Sequence, residues 1–311
     1  MDGLLIIDKP PGITSHDVVA RTRHIIRERR IGHTGTLDPF ATGVLVVLLG
    51  KATRLAQFLA GADKEYEAII RLGYATDTGD RTGKPLPGPD SLQPSRWSDE
   101  EIEASMRSLI GDTQQIPPMY SAKKIKGRKL YEMARLGESV ERAPVNVCIH
   151  EFEGIKQNGQ FYKNNMDGTF DFLVRVVCSS GTYVRNLAED FGKRMSVGAH
   201  LAELRRTRVG PFSIEKAITL DDLRTSFGEE RLGTILLPPE EALPQLPFVH
   251  LSDDDARKAR HGMEVKVAEA NWADGAKVKI YGRDGHLIGV GDFNASRNEI
   301  HPRVVIAHSS S

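Results

Sequence analysis

One carboxylate set among glycines and threonines is the most chemically suggestive feature of this 311-residue chain. The segment Gly32-His33-Thr34-Gly35-Thr36-Leu37-Asp38-Pro39-Phe40-Ala41-Thr42 is too rich in Gly and Thr for a helix. It supplies a tight backbone, hydroxyls and a single acid. Asp38, beside Pro39, fits a turn residue or helix cap; the alternative is a catalytic carboxylate. Gly and Thr amides also suit a phosphate cradle, but the segment lacks the Lys-Ser/Thr ending of a P-loop. Arg185, in Ser180-Gly181-Thr182-Tyr183-Val184-Arg185, falls on the first turn of a helix that follows a strand. It reads as a solvated surface arginine unless the fold carries it to Asp38, where it would hold that carboxylate ionised and oriented. Tyr66, two residues after Lys64, reads as a half-buried strand aromatic.

A further feature is electrostatic. Residues 119–142 carry Lys123, Lys124, Lys126, Arg128, Lys129, Arg135 and Arg142 against Glu132, Glu138 and Glu141, which is 7 against 3, or net +4. Tyr120 and Tyr131 are interleaved. Basic residues with aromatic neighbours suit an RNA backbone and exposed bases; a solvated amphipathic helix is the plainer alternative. Arg205, Arg206 and Arg208 make a smaller basic cluster beside Leu204.

The elements that position these residues follow from spacing. Leu4–Ile7 reads as a short buried strand stopped by Lys9-Pro10-Pro11-Gly12. Thr14 or Ser15 can N-cap a helix, with Asp17 three residues after Thr14 as a variant of the capping box. Val18, Val19, Thr22, Ile25 and Ile26 give that helix its apolar stripe, and Arg21, Arg23, Arg27, Arg29 and Arg30 surround it. Tyr66–Leu72, Val145–Ile155 and Phe170–Cys178 have strand composition. Ser98 and Glu101 make a second capping box, for a helix reaching about Ile110. Ser179-Ser180-Gly181 turns the chain into a helix from about Thr182 to Met195. Gly83–Trp97, with Pro85, Pro87, Pro89 and Pro94, is a loop, and residues 156–170 read as a loop of no assigned purpose. After Pro238, Pro239, Pro244 and Pro247 the character changes. A short helix over 253–261 and strands at Val265–Val267, Lys277–Tyr281 and His286–Asp292, with a hairpin signal at Arg283-Asp284-Gly285, suggest a small β-barrel.

Composition narrows the class. Hydrophobic residues make up 40% of the chain and charged ones 27%, which excludes intrinsic disorder. Cys148 and Cys178 are too few for a disulfide framework or a zinc site and read as small buried residues. The ten histidines lack metal-ligand spacing, so no metal site is expected. The longest apolar run, Val44–Leu49, is far short of the about 20 residues a bilayer needs. No signal-peptide core precedes Asp8 and Lys9. A soluble cytoplasmic protein is expected.

Six segments, in order, resemble the TruB family of tRNA pseudouridine synthases. They are Leu5–Ser15 (LIIDKPPGITS), Gly32–Gly43 (GHTGTLDPFATG), Asp63–Tyr66 (DKEY), Pro117–Lys123 (PPMYSAK), Gly181–Arg185 (GTYVR) and Ala199–Arg206 (AHLAELRR). The resemblance implies an α+β fold: a mixed, mostly antiparallel central sheet with flanking helices, then a small PUA-like C-terminal β-barrel. The expected division is a catalytic domain over 1–243, with a basic thumb inserted at about 119–142, and an RNA-binding domain over 244–311. The implied reaction is isomerisation of uridine 55 in the T arm of tRNA, with no cofactor, metal or obligatory protein partner, by a monomer. Two alternatives stand beside it: a guide-RNA-dependent relative, and a non-catalytic RNA-binding or tRNA-folding protein.

The resemblance also carries residue roles. Asp38 matches the catalytic aspartate, Arg185 the arginine paired with it in a pKa-lowering arrangement, and Tyr66 the tyrosine that stacks on the target base. Tyr183 and Leu204 match residues lining the uracil pocket. His33 matches the residue that fills the stack once the base is flipped out. Lys9 and Pro10 match a motif supporting the active-site loop. RNA-backbone contacts are expected from Lys123, Lys124, Lys126, Arg128, Lys129, Arg205 and Arg206. The 42 basic and 42 acidic side chains cancel overall, but residues 1–60 carry net +3 (8 against 5) and 105–150 net +4 (8 against 4). One localised basic face is therefore expected.

Overall fold

The structure, a computed structural model, describes residues 1–87, 97–121, 123–125, 127–138, 140–228, 231–268 and 270–306. Along the chain, β1 (Gly3–Lys9) leads to α1 (Ser15–Ile26), β2 (Ile31–Thr34), β3 (Thr42–Leu49), a 3-10 turn (Gly50–Leu55), α2 (Ala56–Leu59) and β4 (Lys64–Leu72). Next come α3 (Asp99–Arg107), β5 (Gly111–Gln115), the small hairpin β6 (Lys124–Ile125) and β7 (Arg128–Lys129), and α4 (Leu130–Arg135). β8 (Val145–Gly154), β9 (Tyr162–Asn164), β10 (Phe170–Cys178), α5 (Val184–Arg194), β11 (Ala199–Val209) and β12 (Phe212–Ser213) follow, then α6 (Leu220–Gly228) and α7 (Leu232–Ile235). The last part holds β13 (Phe248–His250), α8 (Asp253–Arg260), β14 (Val265–Lys266), β15 (Lys277–Tyr281), β16 (Leu287–Asn294) and β17 (Glu299–Val305).

The central sheet runs β1-β3-β11-β4-β10-β8-β5, with β2 beside β3, β9 beside β10 and β12 beside β11. Every neighbouring pair is antiparallel except β3 and β11, so the sheet is mixed and mostly antiparallel, as expected. β3 is apolar at nearly every position because both of its faces are covered. Val44, Val46 and Leu48 enter one core cluster, and Leu45, Val47 and Leu49 enter another beneath α1. β4 instead alternates. Tyr66, Ala68, Ile70 and Leu72 point into the largest core, against α5, while Glu65 on the other face meets Arg175 and Arg208. At the β3–β11 junction only a glycine fits: Gly43 has φ +101°, and a Cβ there would lie 2.2 Å from the Arg206 carbonyl oxygen.

Of the two candidate caps of α1 it is Thr14 that forms the capping box with Asp17, and α3 has one too, although α3 stops at Arg107 rather than near Ile110. α5 begins at Val184, two residues later than expected. β5, β11 and β17 were not anticipated, and residues 156–170 contain β9, paired with β10. Of the expected proline loop, residues 88–96 lie outside the described ones. Cys148 is half-exposed rather than buried, because β8 lies next to the edge strand β5; Cys178 is buried. The C-terminal strands form a five-stranded half-barrel, β13-β15-β16-β17-β14, over α8. Its Leu287, Val290, Val304 and Ile306 share a core with Leu55, Leu59, Ala242 and Leu243, and Arg54 Nη1 donates to the Val305 carbonyl at 2.7 Å.

Candidate active site

The loop after β2 is fixed from three sides before any side chain in it can act. Lys9, fully buried at the end of β1, donates to the carbonyls of Pro10 (2.9 Å), Pro39 (3.2 Å) and Ala41 (2.7 Å). Burial pushes its amine down to about 8. Ser15, in the first turn of α1, accepts from the Leu37 amide at 2.9 Å. Arg206, on β11, donates to the carbonyls of Gly35 and Val44, both at 2.8 Å. Arg206 is thus placed differently from the expected phosphate contact. It is 1% exposed, because its guanidinium is spent on those carbonyls and faces the Tyr66 hydroxyl.

On this scaffold Asp38 meets Arg185. Arg185 Nε lies 3.0 Å from Asp38 Oδ2, and Nη2 donates to Oδ1 at 3.3 Å, a two-pronged pairing. The same guanidinium, buried at the start of α5, donates to the Thr78 carbonyl (3.1 Å) and the Tyr120 carbonyl (2.8 Å), and approaches Asp80 Oδ2 (3.5 Å). Two carboxylates therefore share one arginine. The pairing was expected to lower the Asp38 pKa. Desolvation instead prevails, with Asp80 adding to it, and the carboxyl sits above the ordinary aspartate value despite the pull of Arg185 and Lys9.

Asp80 was missed in the sequence. The signal is the run Thr76-Asp77-Thr78-Gly79-Asp80-Arg81-Thr82, whose short polar side chains fold back on their own backbone. Asp80 Oδ1 accepts from Thr78 Oγ1 (3.0 Å) and the Thr82 amide (2.9 Å). Gly79, at φ +72°, lets this turn pass within 3.3 Å of Arg185 Cβ, measured from the position a Cβ would take.

Asp38 and Arg185 form one wall of a cavity of about 290 Å³, which Tyr66, Tyr183, Leu204, Lys64, Thr182 and Lys123 also line. Tyr66 and Leu204 come from adjacent strands, β4 and β11, and Tyr183 caps α5, where its backbone exchanges hydrogen bonds with the Gln115 side chain. Burial raises the pKa of both tyrosines and lowers that of Lys64. His33 does not line the cavity. It stands on β2 with its ring 5.5 Å from that of His16, and burial, His16 and Arg206 bring it down to about 4.

The other expected RNA contacts are scattered. Lys123 lines the cavity, Lys124 is exposed, and Lys126 lies outside the described residues. Arg128 is held by both oxygens of Glu138 (3.0 and 3.1 Å), and Lys129 Nζ donates to the Tyr131 hydroxyl at 3.3 Å. Arg205 pairs with Asp8 at 2.7 Å. Among the described residues no group of three His, Cys, Asp or Glu side chains is arranged to hold a metal ion. No described helix is long and apolar enough to cross a membrane.

The family model for the N-terminal domain of TruB family pseudouridylate synthases matches residues 23–184. Two C-terminal models follow, of tRNA pseudouridylate synthase B over 185–244 and of pseudouridine synthase II TruB over 247–306. The chain is 43% identical over 310 residues to tRNA pseudouridine synthase B of Thermobifida fusca (strain YX), covering 99% of each. It is 45% identical to that of Geobacillus thermodenitrificans (strain NG80-2), covering 86% of each. Among solved structures, one of an H/ACA ribonucleoprotein bound to a substrate RNA containing 2′-deoxyuridine contains a chain that matches with TM-score 0.71 at 28% identity. The match covers 99% of this chain and 86% of that one. Fold and relatives together define an RNA pseudouridine synthase, an isomerase that moves the bond joining uracil to its ribose. The chain belongs to the TruB family of pseudouridylate synthases.

Proposed function

We propose that this enzyme converts uridine 55 in the T arm of tRNA to pseudouridine, acting alone, as a cytoplasmic monomer without a cofactor. The observation that carries the reading is the Asp38 carboxylate held by Arg185 on the wall of a cavity that Tyr66, Tyr183 and Leu204 also line. In this reading residues 1–243 are the catalytic domain and 244–311 an RNA-binding one. The target base leaves the RNA stack and enters the cavity, at a cost of a few kcal/mol in unstacking, and His33 fills the gap as a neutral ring. Tyr66 stacks on the uracil, with Tyr183 and Leu204 closing its sides.

The bond from the ribose C1′ to N1 breaks, the uracil turns, and C1′ joins C5; the C5 hydrogen leaves as a proton and N1 gains one. Three roles for Asp38 satisfy this balance: attack on the sugar, attack on the base, or removal of the 2′ proton. All three require the ionised carboxylate, which is what Arg185 favours against desolvation.

The test uses tRNA tritiated at uridine C5, a label the rearrangement must release. Wild-type protein releases it without added cofactor or guide RNA, and Asp38→Asn binds tRNA without releasing it. The kinship with a chain from an H/ACA ribonucleoprotein favours a guide-dependent reading as the second choice; release only when guide RNA is added would select it. Near-normal turnover by Asp38→Asn would remove Asp38 from the chemistry.

A further inference from the structure

The five arginines around α1 stand apart from most others in the molecule. Arg21, Arg23, Arg27, Arg29 and Arg30 are all exposed. Most of the other described arginines find carboxylates, as Arg71 does with Asp171, Arg128 with Glu138, Arg175 with Glu65, Arg205 with Asp8 and Arg303 with Asp292. None of the five joins an ion pair among the described residues. The acids nearest in sequence are already engaged, Asp17 with Thr14 and Glu28 with the Arg30 amide and the chain's amino terminus, although Asp17 also feels the Arg21 charge one helical turn on without pairing with it. Two of the arginines are braced instead: Arg23 Nε donates to the Arg29 carbonyl (3.2 Å) and Arg30 Nε to Thr53 Oγ1 (3.0 Å). Arg27 sits in the left-handed region, φ 54°, which ends the helix and starts the turn carrying Arg29 and Arg30.

We propose that the C-terminal half of α1 and the turn after it form a phosphate-binding face for a double-stranded RNA stem. The inference rests on the tRNA reading above and deepens it. Position supports it. Arg30 leads directly into β2 and so to His33 and the Asp38 loop, and β2 pairs with β3 toward one end of the central sheet. The basic hairpin β6–β7 follows β5, the strand at the opposite end. From β3 to β5 is five strand intervals, roughly 24 Å at about 4.8 Å each. The cavity is lined by residues of β4 and β11, strands that lie between β3 and β5 in the sheet, so a stem whose flipped base enters it would have a basic region toward each side.

Chemistry selects the duplex backbone. Residues 20–32 contain no Phe, Tyr or Trp on which an unpaired base could stack, whereas surfaces for single strands interleave such rings with charge. Five exposed guanidiniums with the His24 ring as the one aromatic side chain among them are suited chiefly to phosphates, the sequence-independent part of RNA recognition.

The experiment measures binding of tRNA, and of an unrelated duplex RNA hairpin, across a salt series. The variant is R21Q/R27N/R29Q, whose three original side chains make no hydrogen bond or ion pair among the described residues; Asn at 27 tolerates the left-handed backbone. Losing three duplex phosphate contacts lowers the slope of log affinity against log salt by about 2.7. The variant then loses about 40-fold less affinity than wild type between 50 and 200 mM salt. The control R107Q/R224Q/R257Q removes the same net charge from locally paired sites and keeps the wild-type slope. An unchanged slope in the first variant, or an equal fall in the control, overturns the proposal. The hairpin separates the two readings. If its slope falls but wild type releases no tritium from tRNA, the face stands and the tRNA reading fails; tritium release with an unchanged slope gives the converse.

Discussion

Replacing Arg185 with glutamine asks how far one cation sets the charge of the Asp38 carboxyl. In the structure the guanidinium lies 3.0 and 3.3 Å from the two carboxylate oxygens, with charge centres about 4 Å apart. At an effective dielectric constant near 20, unit charges at that separation attract by about 4 kcal/mol. The Asp38 side chain keeps 29% of its exposure, so water screens part of this, and about 2 kcal/mol is a fair working figure. One pKa unit corresponds to about 1.36 kcal/mol, so the acid limb of the pH–rate profile moves toward neutral by about 1.5 pH units. Asp80 pushes the same way, since it loses the same cation and repels Asp38.

The sign follows from which form works. On the proposed mechanism activity needs the ionised carboxylate, so it is lost as pH falls through the Asp38 pKa, which desolvation already holds above the ordinary value. The assay is kcat/KM for tritium release between pH 4.5 and 9, for wild type, R185Q and R185K. Lysine keeps the charge without the fork, so its limb lies between the other two while its plateau falls with the lost bonds to the Thr78 and Tyr120 carbonyls. Breaking this buried pair costs stability of about 3–5 kcal/mol, so thermal unfolding must show each variant folded at the assay temperature. An R185Q profile with a lower plateau and an unmoved acid limb would refute the electrostatic account and leave Arg185 a purely geometric role.

Arg206→Met removes both donors that hold the Gly35 and Val44 carbonyls; we expect a loss of about 2–4 kcal/mol in urea unfolding, and an unchanged midpoint would show that water or backbone movement satisfies them. His33 has a folded pKa of about 4 against an ordinary 6.5, so the unfolded chain binds the extra proton between those values. Its contribution to stability is whole above pH 6.5 and shrinks as pH falls toward 4. Melting curves at pH 7 and 5 therefore lie further apart for wild type than for His33→Gln, and identical pH dependence in the two proteins would contradict the buried-ring account.

How much of this was legible depended on whether a residue's neighbours were local. The α1 capping box and stripe were, because Thr14, Asp17 and the apolar positions lie within one helix. β3 was legible as an apolar run because both its faces are covered. β11 was not: its sequence AHLAELRRTRV carries three arginines and a glutamate, and only the fold supplies Asp8, Glu65 and the loop carbonyls that absorb them. β5, GDTQQ, offers no pattern because it is an edge strand with mostly exposed side chains. The site divides the same way. Composition singled out Asp38, but its pairing with Arg185 spans 147 positions of sequence. Asp80 was legible only as part of a polar turn, because its role comes from where that turn passes α5.

That division bears on how the site works. The loop bearing Asp38 takes its position from β1 through Lys9, from α1 through Ser15 and from β11 through Arg206, each from outside the loop. Two of these, Lys9 and Arg206, are fully or nearly fully buried, so the carboxylate's placement is a property of the sheet core. On the proposed reading, a carboxylate that need not be reordered when the base arrives retains the advantage of orientation, which a 1 Å displacement can cut about a hundredfold. The Gly43 junction belongs to the same argument. It allows β3 and β11 to approach where a Cβ would strike the Arg206 backbone, and Arg206 reaches from there to the Gly35 carbonyl. Packing two strands tightly and aiming the carboxylate are thus one constraint, and a methyl group at Gly43 disturbs both at once.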